Sequence, residues 1–319
     1  MRNPIGLLVA ALFVFTSARV SAQDRAPIER SFAVRTGGDL RVDLDRGSIT
    51  VETNDRNQVD VRIEREGSNE FLSRLSFDVD ESGGDVTVRG RYESNRLWSR
   101  TGRGDRVRVR IRVPREYNVD LETSGGSIGV DDLTGSVRAA TSGGSLSFGR
   151  IDGPIHARTS GGSVELQGSR GEADVKTSGG SIRLGDVGGH VTAVTSGGSI
   201  TIDRAGGEVN ASTSGGGITV NEVGGAIRAR TSGGSIRAYI SEQPTADCSL
   251  ETSGGQVAVT LAPDVRLNIE ANSSGGGVRT DIPIEVVGTV KRNSVRGSIN
   301  GGGPLLRLQS SGGGVRISR

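Results

Sequence analysis

With a single cysteine, Cys248, this chain of 319 residues has no internal disulfide to staple it. Two histidines, His156 and His190, are too few to build a histidine-based metal centre, and they occupy different positions of the repeat described below. Aromatic residues make up 3% of the chain, so stacked rings for sugars or single-stranded nucleic acid are not expected along most of it. Lysine occurs only at positions 176 and 291, so the abundance of arginine reads as compositional bias and not as arginine-specific recognition. After residue 22 no apolar run is long enough to cross a membrane as a helix. No nucleophile elbow, phosphate loop or zinc-spaced set occurs, and no cofactor is expected.

What the chain does have is Thr-Ser-Gly-Gly. It opens at Thr123, Thr141, Thr159, Thr177, Thr195, Thr213 and Thr231, eighteen residues apart each time. The step then lengthens to twenty-one, at Thr252, Ser273 and Ser294, and a last copy opens at Ser310. A fixed period of this size means stacked supersecondary units.

Four apolar columns keep register with the opening hydroxyl. Val137, Ile155, Val191 and Val290 stand four residues before it, and Ala139, Ala157 and Ala193 two before. Ile182, Ile200 and Ile218 stand five after, and Leu184, Ile202 and Val220 seven after. Each unit thus holds two short runs of period two, the signature of strands. Eighteen residues fit two strands of about five residues and two tight turns. The expected fold is all-β: a β-solenoid of stacked 18–21-residue coils, preceded by an irregular β-rich capping region. The opening Thr continues the inward alternation and should form a hydroxyl ladder at the edge of the core. The glycines are expected to supply positive φ where the chain reverses. Cys248 falls in an apolar column and should be a small, unpaired core residue.

Three segments follow from this. Residues 1–22 read as a secretory signal peptide, with Arg2, an apolar stretch over 5–15 and the small-residue site Val20-Ser21-Ala22. Arg2 and Arg19 leave with it and no acid does, so 39 basic and 37 acidic residues become 37 of each. The neutral mature chain gives no argument for nucleic acid. Residues 23–117 form the irregular β-rich region, where Thr36-Gly37-Gly38 resembles a diverged repeat opening and residues 68–75 could turn a short helix. Most aromatics of the mature chain lie here, Phe32, Phe71, Phe77, Tyr92, Trp98 and Tyr117, and suit the capping of an exposed solenoid end. Residues 118–319 form the regular array.

One segment is strongly biased. Residues 89–115 hold ten arginines against Glu93 and Asp105. Within them Arg106, Arg108, Arg110 and Arg112 alternate with Val107, Val109, Ile111 and Val113, a half-buried strand with an arginine face. That face could be an anion or partner site, for a glycan, lipid A phosphate or nucleic acid. It could equally be a solvated face paired with acids, for which the strand bearing Asp60, Glu64 and Glu66 is the obvious neighbour. Along the array the outward columns repeat no acid or metal ligand. Acids such as Asp131, Asp132, Asp152 and Asp174 are scattered, and the Gly-Gly-x-Gly-x-Asp pattern of a calcium β-roll is missing. The repeated Ser127, Ser145, Ser163, Ser181 and Ser199 read as small residues that tolerate a tight corner.

An export signal, irregular strands and many copies of Ser-Gly-Gly-Ser-Ile-x-Val resemble the bacterial β-strand-repeat family of candidate adhesins. It is a domain of unknown function grouped with toast-rack-like domains. The resemblance runs from about Phe32 to the C-terminus. It implies a cell-envelope or surface setting and no enzymatic activity, and it carries over no binding residues. Three readings stand. The first is an exported, non-enzymatic structural or interaction module, periplasmic or at the surface, with an envelope protein or glycan as partner. The second is a sensor or assembly subunit of an envelope-stress system. The third is a polysaccharide-active β-helix enzyme, which a cluster of acids in one groove would favour.

Overall fold

Residues Ile155–Thr159 and Val164–Ser169 form one coil of the array and show how the others are built. Ile155, Ala157, Thr159, Val164 and Leu166 point inward and are buried, while His156, Arg158 and Glu165 point out. Ile155 lies beside Val137 of the coil before and Ala173 of the coil after, in parallel register. Repeated through the array, this stacking yields two 15-stranded sheets facing each other across a narrow core. Fully burying a Val, Leu or Ile stabilises by about 1.5–3 kcal/mol, so each coil contributes only when its neighbours cover it. This computed structural model describes residues 26–93, 104–286 and 291–319. The segment read as a signal peptide, residues 1–22, and Trp98 and Val290 lie outside the described residues.

The hydroxyl ladder is present. The Thr159 Oγ1 donates to the Gly144 carbonyl of the coil before (2.7 Å) and accepts from the Gly162 N–H of its own corner (3.3 Å). The same pair of bonds recurs at Thr141, Thr177, Thr195, Thr213, Thr231 and Thr252. These hydroxyls are buried, and their bonds satisfy groups that the corner takes away from water. Beside them runs a second ladder that the sequence did not disclose. The Ser127 Oγ accepts from the Ser145 N–H, and the next four coils repeat the contact, the last from the Gly217 N–H to Ser199.

The glycines of the motif do a different job from the expected one. None of those in the Thr-Ser-Gly-Gly corners has positive φ. The constraint is close approach: a Cβ on Gly180 would stand 2.1 Å from the Gly162 carbonyl oxygen of the adjacent coil. The second glycine of every corner meets backbone in this way, so a side chain there would push coils apart. Cys248 is buried and free, as its column implied. Burial pushes its thiol pKa up, and the Ile227 N–H points at its sulfur (3.5 Å).

At the N-terminal end the first strands are β1 (Ile28–Ala33), β2 (Asp39–Leu44), β3 (Ser48–Asn54) and β4 (Gln58–Glu66). A one-turn helix, α1 (Asn69–Leu72), follows with Ser68 as its N-cap, then β5 (Leu75–Ser82), β6 (Asp85–Tyr92), β7 (Arg106–Pro114) and β8 (Asn118–Thr123). Here the stack departs from chain order. The coil of β2 and β3 lies between that of β6 and β7 and the first coil of the array. Its corner, Leu44-Asp45-Arg46-Gly47-Ser48-Ile49, is the true diverged repeat opening, because Leu44 aligns with Thr123 and the Gly47 carbonyl accepts the Thr123 hydroxyl (2.9 Å). The Thr36-Gly37-Gly38 segment is instead the turn that enters β2.

The C-terminal end shows the same device. The last coil, Leu305–Ser310 with Val315–Ser318, inserts between Cys248–Leu261 and the coil opened by Ser273. The hydroxyl ladder follows spatial order there, from Ser310 to the Gly255 carbonyl and from Ser273 to that of Gly313. The copy at Ser294 is not a coil. Its strand, Ser294–Ile299, pairs antiparallel with Leu267–Ser273 and helps to close the end.

Candidate partner-binding end

The arginine strand β7 is held between β4, antiparallel, and β3, parallel. Its alternation drives Val107, Val109, Ile111 and Val113 into the core and leaves the four arginines on the outer face. The acidic neighbours stand at pairing distance. Arg108 meets Glu66 at 2.9 Å and Glu64 at 3.7 Å, Arg110 meets Glu64 at 3.6 Å, and Arg112 meets Glu52 at 2.9 Å. Arg106 lies opposite Glu66 across the strand pair. Asp60 faces Arg112 in register but accepts from Ser31 and Gln58. The hydrogen bond from Arg62, then the charges of Arg110, Arg62 and Arg108, hold the Glu64 carboxyl below its ordinary range. The guanidinium of Arg112 is shifted upward, mainly by its bond to Glu52. The outer face is therefore a mosaic of paired charges, and such exposed pairs individually add little stability.

Two depressions flank this strand. One of about 510 Å³ lies where β7 begins and takes Arg106 and Arg108 into its lining, with Arg46, Phe71 and Ser124. The other, of about 370 Å³, takes Arg110 and Arg112, with Glu29 and Arg62. Arg46 lies over the Tyr92 ring at 4.5 Å, and that ring packs on Phe71. Arg91 forks onto Asp43, which accordingly titrates below its ordinary value. Tyr117 seals the layer beneath. Its hydroxyl donates to the Gly84 carbonyl (2.6 Å), and burial first, then nearby acids, pushes its pKa up to about 12.

The scattered acids divide. Asp132, Asp152 and Asp186 line a groove of about 620 Å³ at the opposite corner, interleaved with Arg115, Arg150 and Arg170. The Asp132 carboxylate accepts from the Arg150 N–H (2.8 Å), and Asp152 pairs with Arg170 (2.9 Å). Asp131 titrates above its ordinary range, because of burial first and then Glu52 and Asp132. Asp174 lies apart on the other sheet, among His156, Arg158 and Lys176. Among the described residues no group of three or more His, Cys, Asp or Glu side chains could hold a metal ion. No helix of the described residues is long and apolar enough to cross a membrane.

Two parallel sheets stacked from short coils, with irregular strands closing the ends, define an all-β toast-rack architecture. The chain belongs to the Toastrack DUF4097 family, whose model matches residues 38–318. No curated protein matches it. Among solved structures it is similar to a candidate adhesin of Parabacteroides merdae ATCC 43184, with 8% identity, 94% of this chain and 99% of that one covered, and a TM-score of 0.42. A candidate adhesin of Bacteroides fragilis NCTC 9343 shares 13% identity over 93% of this chain and 98% of that one, at a TM-score of 0.32. A candidate lipid-binding protein of Parabacteroides distasonis ATCC 8503 shares 13% identity over 92% of this chain and 97% of that one, at 0.35. At such scores these likenesses carry no argument beyond the family match.

Proposed function

We propose that this protein is an exported, non-enzymatic interaction module of the bacterial cell envelope, with a rigid solenoid that presents its irregular N-terminal end to a protein or glycan partner. One observation supports the reading above the others: the arginine-faced strand and the packed aromatic rings stand together at that end. The arginine strand, the Arg46–Tyr92–Phe71 cluster and two depressions all lie on residues before the array or at its first coil. The array's outward columns instead change identity from coil to coil, as Gly129, Ser147, Glu165, Arg183 and Thr201 do. We place the signal peptide at residues 1–22, the irregular end at 23–117 and the array at 118–319.

The test is chemical crosslinking of the native protein in its own cells, followed by isolation of the envelope fraction. The mature chain should begin at Gln23 and should capture an envelope component through residues before Thr123. Crosslinks confined to the array, or a cytoplasmic chain that retains Met1, would contradict the reading. Hydrolysis or lyase activity on a polysaccharide, lost on Asp132→Asn, would replace it with an enzyme.

A further inference from the structure

Strand β5 ends its sheet. It pairs with β6 on one side and, among the described residues, with no strand on the other. At eight residues it is the longest of the four strands that terminate the two sheets. The others, β1, Val278–Thr280 and Glu285–Val286, have six, three and two. An open edge presents a row of unpaired N–H and C=O groups, which is a template for another strand.

The two faces of β5 differ. Ser76, Asp78, Asp80 and Ser82 point outward and are exposed. Arg89 lies opposite Asp78 in register but comes only within 4.0 Å of Asp80, and Arg91 is held by Asp43 and Asp45. On the inner face Phe77 and Val79 are half-buried against the core cluster.

The molecule already contains a strand pair of matching chemistry. β4 sets Asp60, Glu64 and Glu66 outward, with Arg62 among them, and Val61 and Ile63 inward. Its partner β7 sets arginines outward and Val or Ile inward. β5 likewise sets acids, Asp78 and Asp80, on its outer face, and its open side faces away from β6. A second copy of β5 does not fit this edge. Laid antiparallel in register, the two would oppose Asp78 and Asp80 to Asp80 and Asp78, and like charges directly opposite destabilise.

We propose that β5 is a docking edge for an extended segment of a partner protein that alternates arginine or lysine with branched apolar residues and adds to the sheet as a further strand. Main-chain hydrogen bonds would provide affinity, and the alternating side chains would provide specificity. The inference rests on the N-terminal end being the binding end and names the chemistry it binds.

The test uses a labelled octapeptide with the sequence of residues 106–113, titrated into the full chain and followed by fluorescence anisotropy. Saturable binding is expected. Asp78→Lys with Asp80→Lys should weaken it about tenfold or more, because two favourable cross-strand pairs become repulsive. Both sites are exposed, and the like charges set against Arg89 should lower the melting temperature by no more than a few degrees, so folding is checked beside binding. Two further peptides separate strand addition from plain charge attraction, each N-methylated at alternate residues of opposite parity. An added strand uses every second N–H toward its neighbour, so one peptide should lose binding and the other keep it. Equal binding of both, equal binding of a scrambled peptide, an unaffected double variant, or self-association of the chain in place of peptide binding overturns the proposal. An envelope partner captured equally well by the double variant would sink the strand inference and leave the binding end standing.

Discussion

The array and the two ends of this solenoid obey the same local rules and different global ones. Between the coil opened by Thr141 and that opened by Thr252, each coil lies on the one before it in sequence. At either end a coil is inserted out of order: β2 with β3 at one, Leu305–Ser310 with Val315–Ser318 at the other. The ladder of hydroxyl-to-carbonyl bonds crosses the C-terminal insertion without a gap, and at the N-terminal end it reaches the inserted coil, whose Leu44 corner has no hydroxyl to carry it further. A corner therefore recognises the shape of its neighbour and not its place in the chain. The interior stacks in chain order because short corners allow little else, and the ends exchange neighbours because longer connections let them. Antiparallel strands then close what a parallel coil would leave open, as β4 does on β7 and Ser294–Ile299 does on Leu267–Ser273.

The comparison is tested most severely in the array core. Ile200 is fully buried, while Thr201 lies on the outer face between Arg183 and Thr219. Ile200→Asp should destabilise by at least about 3 kcal/mol, since its charge would have no partner there. Thr201→Asp should stay within about 0.5 kcal/mol. Chemical denaturation of both variants checks the register, and equal losses would refute it.

Glycine offers the next test. Gly180→Ala places a methyl group into the backbone of the adjacent coil and should cost about 1–3 kcal/mol, the usual range for overpacking. At the first corner of the array, a Cβ on Gly125 meets nothing within 4 Å, so Gly125→Ala should be close to neutral. The same denaturation experiment reads both. If Gly180→Ala were as mild, close approach would not be the reason for glycine.

At the N-terminal end the expected effects are smaller. Arg108→Glu with Arg110→Glu turns the partners of Glu64 and Glu66 into like charges, and should lower the melting temperature by a few degrees. Loss of binding to an anionic envelope component with an unchanged melting temperature would instead mean that the arginine face is free to act.

Acid should separate the two regions most gently. The carboxyls of Asp43 and Glu64 are lowered from ordinary values of 3.8 and 4.5 by their arginine partners. Their contribution is therefore complete above those values and is lost as pH falls through the lowered ones. Asp131 is raised from 3.8, so its protonation relieves a strain and opposes the loss. The Thr-to-carbonyl ladder contains no titrating group. Hydrogen exchange, corrected for its intrinsic pH dependence, should show the end loosening below about pH 4 before the array does. Simultaneous loosening would indicate that the ion pairs add nothing local.

The array was readable from the chain because its information is local. Period two, a buried hydroxyl and a corner glycine recur at fixed spacing, so columns such as Ile200 and Val209 could be assigned one unit at a time. The sequence also marked β7 as an arginine-faced strand and pointed to the strand of Glu64 and Glu66 as its neighbour. The glycine reading failed in one respect. A Gly-Gly corner is equally compatible with left-handed backbone and with tight packing, and only the neighbouring coil, at 2.1 Å from an imagined Gly180 Cβ, decides between them. The corner Leu44-Asp45-Arg46-Gly47 escaped notice because it retains one glycine and no opening hydroxyl. Its identity lies in accepting the Thr123 bond.

By itself, then, the sequence determined the coil: its two strands, its inward columns and its hydroxyl ladder, all marked by residues that recur at one fixed spacing. The tertiary structure alone decided which coil lies beside which at the ends, which copy of the motif is a coil and which a cap, and that β5 keeps an open acidic edge while β7 has its acids already in place. The physical reason is that parallel neighbours in a solenoid are interchangeable to the local backbone. Stack order is set by the connections and by which apolar faces remain uncovered, and neither is written within a single repeat.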